Sequence, residues 1–129
     1  MATVLIVEDD KQVRVFAESY LRRQGHRTMS AETPEEALAL LDRAEEVDVL
    51  FSEIALHGDG LAGVRLARQA ARGRPGIKVL YAGEHARAER LKPLLFEASA
   101  VLEKPYTVEQ LRNGLVGQIR RGAHPPRQD

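Results

Sequence analysis

The sequence predicts an α/β domain in which helices cover both faces of a parallel β-sheet. Three observations carry this expectation. Short apolar runs alternate five times with longer segments of helical period, and repeated β-then-α units build parallel sheets through right-handed crossovers. The first run, Thr3 to Val7, is apolar, rich in β-branched residues and only five residues long, as suits a strand buried on both faces. The chain has 129 residues, enough for one domain, and such a domain buries roughly two thirds of its unfolded surface.

The elements follow in order. From Asp10 to Gln24, Val13, Phe16, Ala17, Tyr20 and Leu21 recur at helical spacing; Asp10 can cap the start and Gly25 suits the C-terminal side. His26 to Ser30 reads as a short second strand. Thr33-Pro34-Glu35-Glu36 is a capping box with Thr33 as N-cap, Pro34 at the first helical position and Glu36 reaching back. Ala37, Leu38, Leu40 and Leu41 form the apolar face that follows. Val47 to Ser52 is the third strand, with Ser52 expected to point away from Glu53 by the two-residue period. Leu61 to Ala71 is the third helix, Gly73-Arg74-Pro75-Gly76 a turn, and Ile77 to Tyr81 the fourth strand. Glu84 to Glu97 is a poorer helix, because Pro93 inside it forces a late start, a kink or a restart. Ala98 to Leu102 is the fifth strand. Thr107-Val108-Glu109-Gln110 is a second capping box, opening a last helix to about Arg120. The domain is expected over residues 1–121. Residues 122–129, with Pro125-Pro126 and no apolar period, are expected to be a disordered tail without an output domain.

Composition narrows the function. Lys plus Arg total 19 and Asp plus Glu total 19, so no basic excess points to nucleic acid. With no cysteine, disulfides, thiolate catalysis and thiolate metal sites are excluded. The apolar run at the N-terminus meets acids at once and is not a signal peptide, and no stretch nears the roughly 20 apolar residues of a membrane span. The expected setting is the cytoplasm.

Ligand sites in open parallel sheets form outside the carboxyl ends of the strands. There the sequence places Glu8, Asp9 and Asp10 after strand one, Glu53 after strand three, Ala82 and Gly83 after strand four, and Glu103, Lys104 and Pro105 after strand five. Crowded carboxylates repel and call for a cation. Oxygen ligands of this kind suit Mg²⁺ completed by water, so the three or four carboxylates at this edge, Glu8, Asp9 and Glu53 among them, are candidate metal ligands. The alternative is an acidic pocket neutralised by Lys104 and water. On the crowding argument, Asp9→Asn should relieve repulsion.

VLIVEDD, DVLFSEI and LEKP, in this order and spacing, resemble the three signature blocks of response regulator receiver domains, the CheY-like family. The resemblance covers Thr3 to about Arg120. It implies a flavodoxin-like, doubly wound (βα)5 domain with a five-stranded parallel sheet. It also implies an acidic Mg²⁺ pocket and an aspartate that takes a phosphoryl group from a histidine kinase. Glu8 and Asp9 match the metal-holding pair, Lys104 the lysine that contacts the phosphoryl group, and Pro105 the proline after it. Three positions depart. Glu53 stands where the family has the phosphoacceptor aspartate, Ala82 where it has Thr or Ser, and Val101 where it has Tyr or Phe. The loop after Glu53 is about one residue short, with His57 at a frequent proline position.

In the family the phosphoryl group draws in the hydroxyl and the aromatic ring follows. Ala82 has no hydroxyl and Val101 no ring. The extra methylene of Glu53 moves its carboxylate by roughly one C–C bond, and misplacement on that scale can cost about 10²-fold in rate. The resemblance with its departures implies an atypical, degenerate receiver that is no enzyme. It would act without phosphorylation, by docking to a histidine kinase or an output protein, or as a homodimer through the fourth helix, fifth strand and fifth helix. A working phosphoacceptor at Glu53 or Asp59, and a small Mg²⁺-dependent phosphatase, are the alternatives.

Other motifs have plainer readings. Gly58 to Gly63 spells G-x-G-x-x-G with Glu84 about 20 residues on, but five residues separate it from strand three, and a turn with helix-start glycines fits better. His57 is a conceivable ligand or phosphoryl acceptor, though loop histidines are mostly solvated. Arg65, Arg68 and Arg72 share one helix face, most simply a solvated one. Arg87, Arg90 and Lys92 flank the fourth helix, a position that suits a docking role.

Overall fold

The computed structural model describes residues 1–122. Five parallel strands, β1 (Thr3–Val7), β2 (Arg27–Ala31), β3 (Val49–Glu53), β4 (Lys78–Gly83) and β5 (Ala100–Glu103), form one sheet in the order β2-β1-β3-β4-β5. Between and after them run α1 (Lys11–Arg23), α2 (Pro34–Arg43), α3 (Ala62–Gly73), α4 (His85–Leu91) and α5 (Val108–Gly122). This is the parallel sheet between helices expected from the alternation of runs, in the doubly wound five-stranded form that the resemblance implies.

The three central strands β1, β3 and β4 are buried on both faces, the edge strands β2 and β5 are largely half-buried, and residue parity divides the core into two layers. Leu5, Val7, Leu50 and Tyr81 pack with α2 and α3, while Val4, Ile6, Phe51 and Leu80 pack with α1 and α5. Ser52 is buried, with its Oγ donating to the carbonyl of Glu53 at 2.9 Å.

The caps form where the sequence places them, but at α2 half of the expected box closes: among the described residues no bond returns from the Glu36 side chain to Thr33 N–H. Asp10 Oδ1 accepts from the N–H groups of Gln12 and Val13, and Thr33 Oγ1 from that of Glu36. At α5 the box closes in both directions: Gln110 N–H donates to Thr107 Oγ1 and Thr107 N–H to Gln110 Oε1.

Several expectations shift. β2, β3, β4 and β5 end one or two residues later than the apolar runs do, because ladder pairing continues through the polar ends Glu53 and Glu103. The fourth helix stops at Leu91 and a single 3₁₀ turn, Lys92–Leu94, restarts at Pro93. Pro93 has no N–H to continue the ladder, so the break falls there. Phe16, read as core, is 45% exposed; it lies on the flank of α1 beside Ala17. α5 runs to Gly122, one residue past the expected domain end, and the rest of the expected tail lies outside the described residues. Among the described residues no helix is long and apolar enough to cross a membrane.

Candidate functional site

The carboxyl ends of the strands gather the acidic residues. Glu8 and Asp9 follow β1, Glu53 closes β3 opposite Ala82 in β4, and Gly83 pairs with Glu103 in β5. Sterics hold the β3 end in place. Gly63 N–H donates to Ile54 O at 2.8 Å, and a Cβ on Gly63 would come 2.1 Å from the Glu53 carbonyl. Only glycine lets α3 start this close to Glu53. That is the role of the last glycine in the dinucleotide-like motif.

Carboxylate oxygens of Glu8, Asp9 and Glu53 lie within 4.8 Å of one another. Lys104 Nζ sits between two of them, 2.5 Å from Glu8 Oε1 and 2.6 Å from Glu53 Oε2. Glu8 is 5% exposed, and its other oxygen accepts from Asp10 N–H at 3.1 Å. The Lys104–Pro105 peptide is cis.

Each acid has its own electrostatics. Burial, and then the neighbouring Glu8, push Glu53 from the ordinary 4.5 up to about 8, against the pull of Lys104. Burial disfavours the Lys104 charge, but its bonds to Glu53 and Glu8 outweigh that and hold its pKa above the usual value. The ammonium therefore stays charged at neutral pH, and the costly charge is the one on Glu53. Asp9 goes the other way. Its burial is more than offset by the His57 backbone N–H, by hydrogen bonding with Glu8 and by the charge of His57, so its carboxyl lies below the usual range.

The short loop explains that N–H. Leu56 and Asp59 close a tight turn through two backbone bonds of 3.1 and 2.9 Å, and its central residues His57 and Gly58 both have positive φ, 48° and 78°, as a primed turn requires. The turn aims His57 N–H at Asp9 Oδ2, 2.8 Å away. The His57 ring turns outward, with Nε2 3.0 Å from the Glu32 carbonyl, and does not join the acidic cluster. Asp59 stands apart too: its oxygens take Leu61 N–H and the Arg65 guanidinium.

One site residue escaped sequence reasoning. Tyr106 packs edge-to-face on Phe51, with ring centroids 5.8 Å apart. Burial, then Glu8 and Glu53, push its phenol up. The available signal was an aromatic residue directly after Pro105 at the same sheet edge. With Val13, Phe16, Pro105, Lys104 and Glu53 it lines a cleft of about 560 Å³. Ala82 is buried beside Glu53. Val101 is half-buried in a groove of about 440 Å³ between α4 and β5.

Comparison with known proteins decides the family. Residues 4–115 match the response regulator receiver domain. The chain belongs to that family. This receiver is 30% identical over 112 residues to the sensor kinase CckA of Brucella abortus, covering 85% of this chain and 12% of that protein. It is 31% identical over 120 residues to a cyclic di-GMP phosphodiesterase of Thermotoga maritima, covering 92% of this chain and 31% of that one. It thus spans less than a third of either relative. Among solved structures, a response regulator receiver protein from Sinorhizobium medicae superposes with a TM-score of 0.84 at 22% identity, over 95% of this chain and 97% of that one. The flavodoxin-like fold is that of a receiver, a signalling module of two-component systems that works with histidine kinases and output domains. Like other receivers, this one has an acidic group at the sheet edge, where the family binds Mg²⁺.

Proposed function

We propose that this receiver, over residues 1–121, is a degenerate member that signals by docking. Its pocket is held by an internal ion pair rather than switched by phosphoryl transfer. The observation that carries this is the Lys104 ammonium seated 2.5 Å from Glu8 and 2.6 Å from Glu53. Glu53 fills the phosphoacceptor position with a side chain long enough to reach the lysine itself. Its oxygen occupies the lysine contact that an incoming phosphoryl group needs. The proton that Glu53 holds up to about pH 8 makes it a poorer nucleophile still. Ala82 offers no hydroxyl and Val101 no ring, so an added group would find neither relay nor readout.

Glu8, Asp9 and Glu53 form a donor set of the kind hard divalent ions take. Mg²⁺ bound there would neutralise carboxylate charge, in competition with Lys104 for Glu8 and Glu53. The partners are a histidine kinase or an output protein in the cytoplasm, with α4, β5 and α5 as the face for self-association. The phosphoacceptor alternative at Asp59 is disfavoured because Arg65 and Leu61 N–H already hold that carboxylate. The phosphatase alternative lacks a free nucleophile.

Intact mass after incubation with a small phosphodonor and Mg²⁺ tests the reading. The chain should keep its mass, and Glu53→Asp, which shortens the side chain away from Lys104, should gain an acid-labile adduct. A stoichiometric adduct on the unaltered chain overturns the proposal.

A further inference from the structure

Charge is unevenly distributed across α4. On the β5 side, Glu89, Glu97 and Glu103 line the groove with Lys92. The α3 side is basic. α3 contains Arg65, Arg68 and Arg72 and no acid, and all three arginines are exposed. α4 turns Arg87 toward the same side: a Cβ on Gly60, in the loop before α3, would lie 2.8 Å from Arg87 Nη1. Arg90 follows one turn later. Arg68 Nη2 donates to the carbonyl of Leu94 at 3.0 Å, joining α3 to the turn after α4. Leu94 itself is 42% exposed there. Among the described residues, Asp59 is the one acid paired with this strip, through Arg65.

From this we infer that the α3–α4 strip is a docking surface for an acidic, partly apolar protein segment. The arginines of α3 stand at i, i+3 and i+7, a row of about 10 Å, which matches carboxylates on successive turns of a partner helix. Guanidinium groups pair with carboxylates in two-pronged geometry, and the contacts of Arg65 and Arg68 already hold both side chains in place. Leu94 adds an apolar contact that a phosphate backbone would not use. The formal charge of the whole chain is zero, whereas nucleic-acid binders carry a net basic field. An arginine row gives its partner both orientation and a fast encounter.

This inference supplies a partner chemistry for the docking reading but stands on different residues. Its test is binding, whereas that reading is tested by phosphorylation, so each can fail alone. The ¹⁵N-labelled chain is titrated with a synthetic helix-forming peptide bearing Glu on successive turns and one Leu. Parallel titrations use a short DNA duplex and phosphatidylglycerol vesicles. The peptide should move amide signals of residues 62–73 and 85–94, and binding should weaken several-fold between about 50 and 500 mM salt. Arg72→Glu with Arg90→Glu should weaken it at least about tenfold. If that pair perturbs the fold, Arg72→Ala with Arg90→Ala should still weaken it about threefold. Absence of shifts at millimolar peptide, shifts confined to other surfaces, or binding indifferent to these variants would overturn the inference. So would DNA or vesicles binding the strip more tightly than the peptide.

Discussion

At the scale of single residues the pocket separates acids that the sequence could only group. Crowding alone suggested that any carboxylate removed would bring relief. The strained one is Glu53. Its folded pKa of about 8 lies above the ordinary 4.5, so between those values the unfolded chain ionises while the folded chain keeps its proton. Stability contributed by this group is intact below about pH 4.5 and falls as pH rises toward 8. In EDTA, Glu53→Gln should melt with the parent near pH 4 and be more stable near pH 8 by on the order of 2 kcal/mol. An equal gain at both pH values would mean that packing, not charge, is responsible. Asp9 has the opposite sign. Its lowered pKa marks a charge that the fold favours, with a contribution present above its ordinary 3.8 and lost as pH falls through the folded value. Asp9→Asn is therefore expected to lower the melting temperature at neutral pH, reversing the expectation from crowding.

At the scale of elements, the strand-end rule placed Glu8, Asp9, Glu53 and Lys104 because the end of a strand is visible in its apolar run. That Lys104 can neutralise these acids and pair with Glu53 was legible as well; that its ammonium bridges Glu8 and Glu53 and leaves Asp9 to the His57 N–H was not, since it depends on where the ammonium settles among three carboxylates. Helical period misjudged Phe16 for a related reason: spacing marks a face of α1 but not how far the neighbouring elements cover it. Gln118 was invisible altogether. It is a single polar residue in the apolar stripe of α5, fully buried, and donates to Val79 O at 2.6 Å and Ala98 O at 3.0 Å. Arg121 donates to the same Ala98 carbonyl at 3.1 Å. Together they fix the chain before β5, where Ala98 has φ 63°. Left-handed backbone costs an alanine about 1 kcal/mol or more. Ala98→Gly removes that cost but widens the unfolded ensemble, which offsets part of the gain, so the chain should be stabilised by about 0.5 kcal/mol. Chemical denaturation measures this; a loss of stability would show that the Ala98 methyl contributes packing.

At the scale of the whole molecule, the residues that the proposed reading takes as altered acceptor, relay and readout, Glu53, Ala82 and Val101, lie in three different strands. Repair must therefore be cumulative. Glu53→Asp with Ala82→Thr should, on phosphorylation, move amide signals along β4 and into β5 and fade near Val101, where no ring can follow. Shifts confined to residues around Asp9 and His57 would mean that Thr at position 82 does not couple to β5. The strand order also bears on how the chain is made. β2 pairs with β1, β3 with β1, β4 with β3 and β5 with β4, so every strand leaving the ribosome meets a neighbour that is already there. Synthesis at about 5–20 residues per second gives the sheet time to grow outward in order. The acids come early, at residues 8, 9 and 53, and the ammonium that bridges Glu8 and Glu53 comes late, at residue 104. For several seconds of its first existence the nascent sheet carries an acidic edge with no lysine to quiet it, and the last strand to dock is the one that brings the counter-charge.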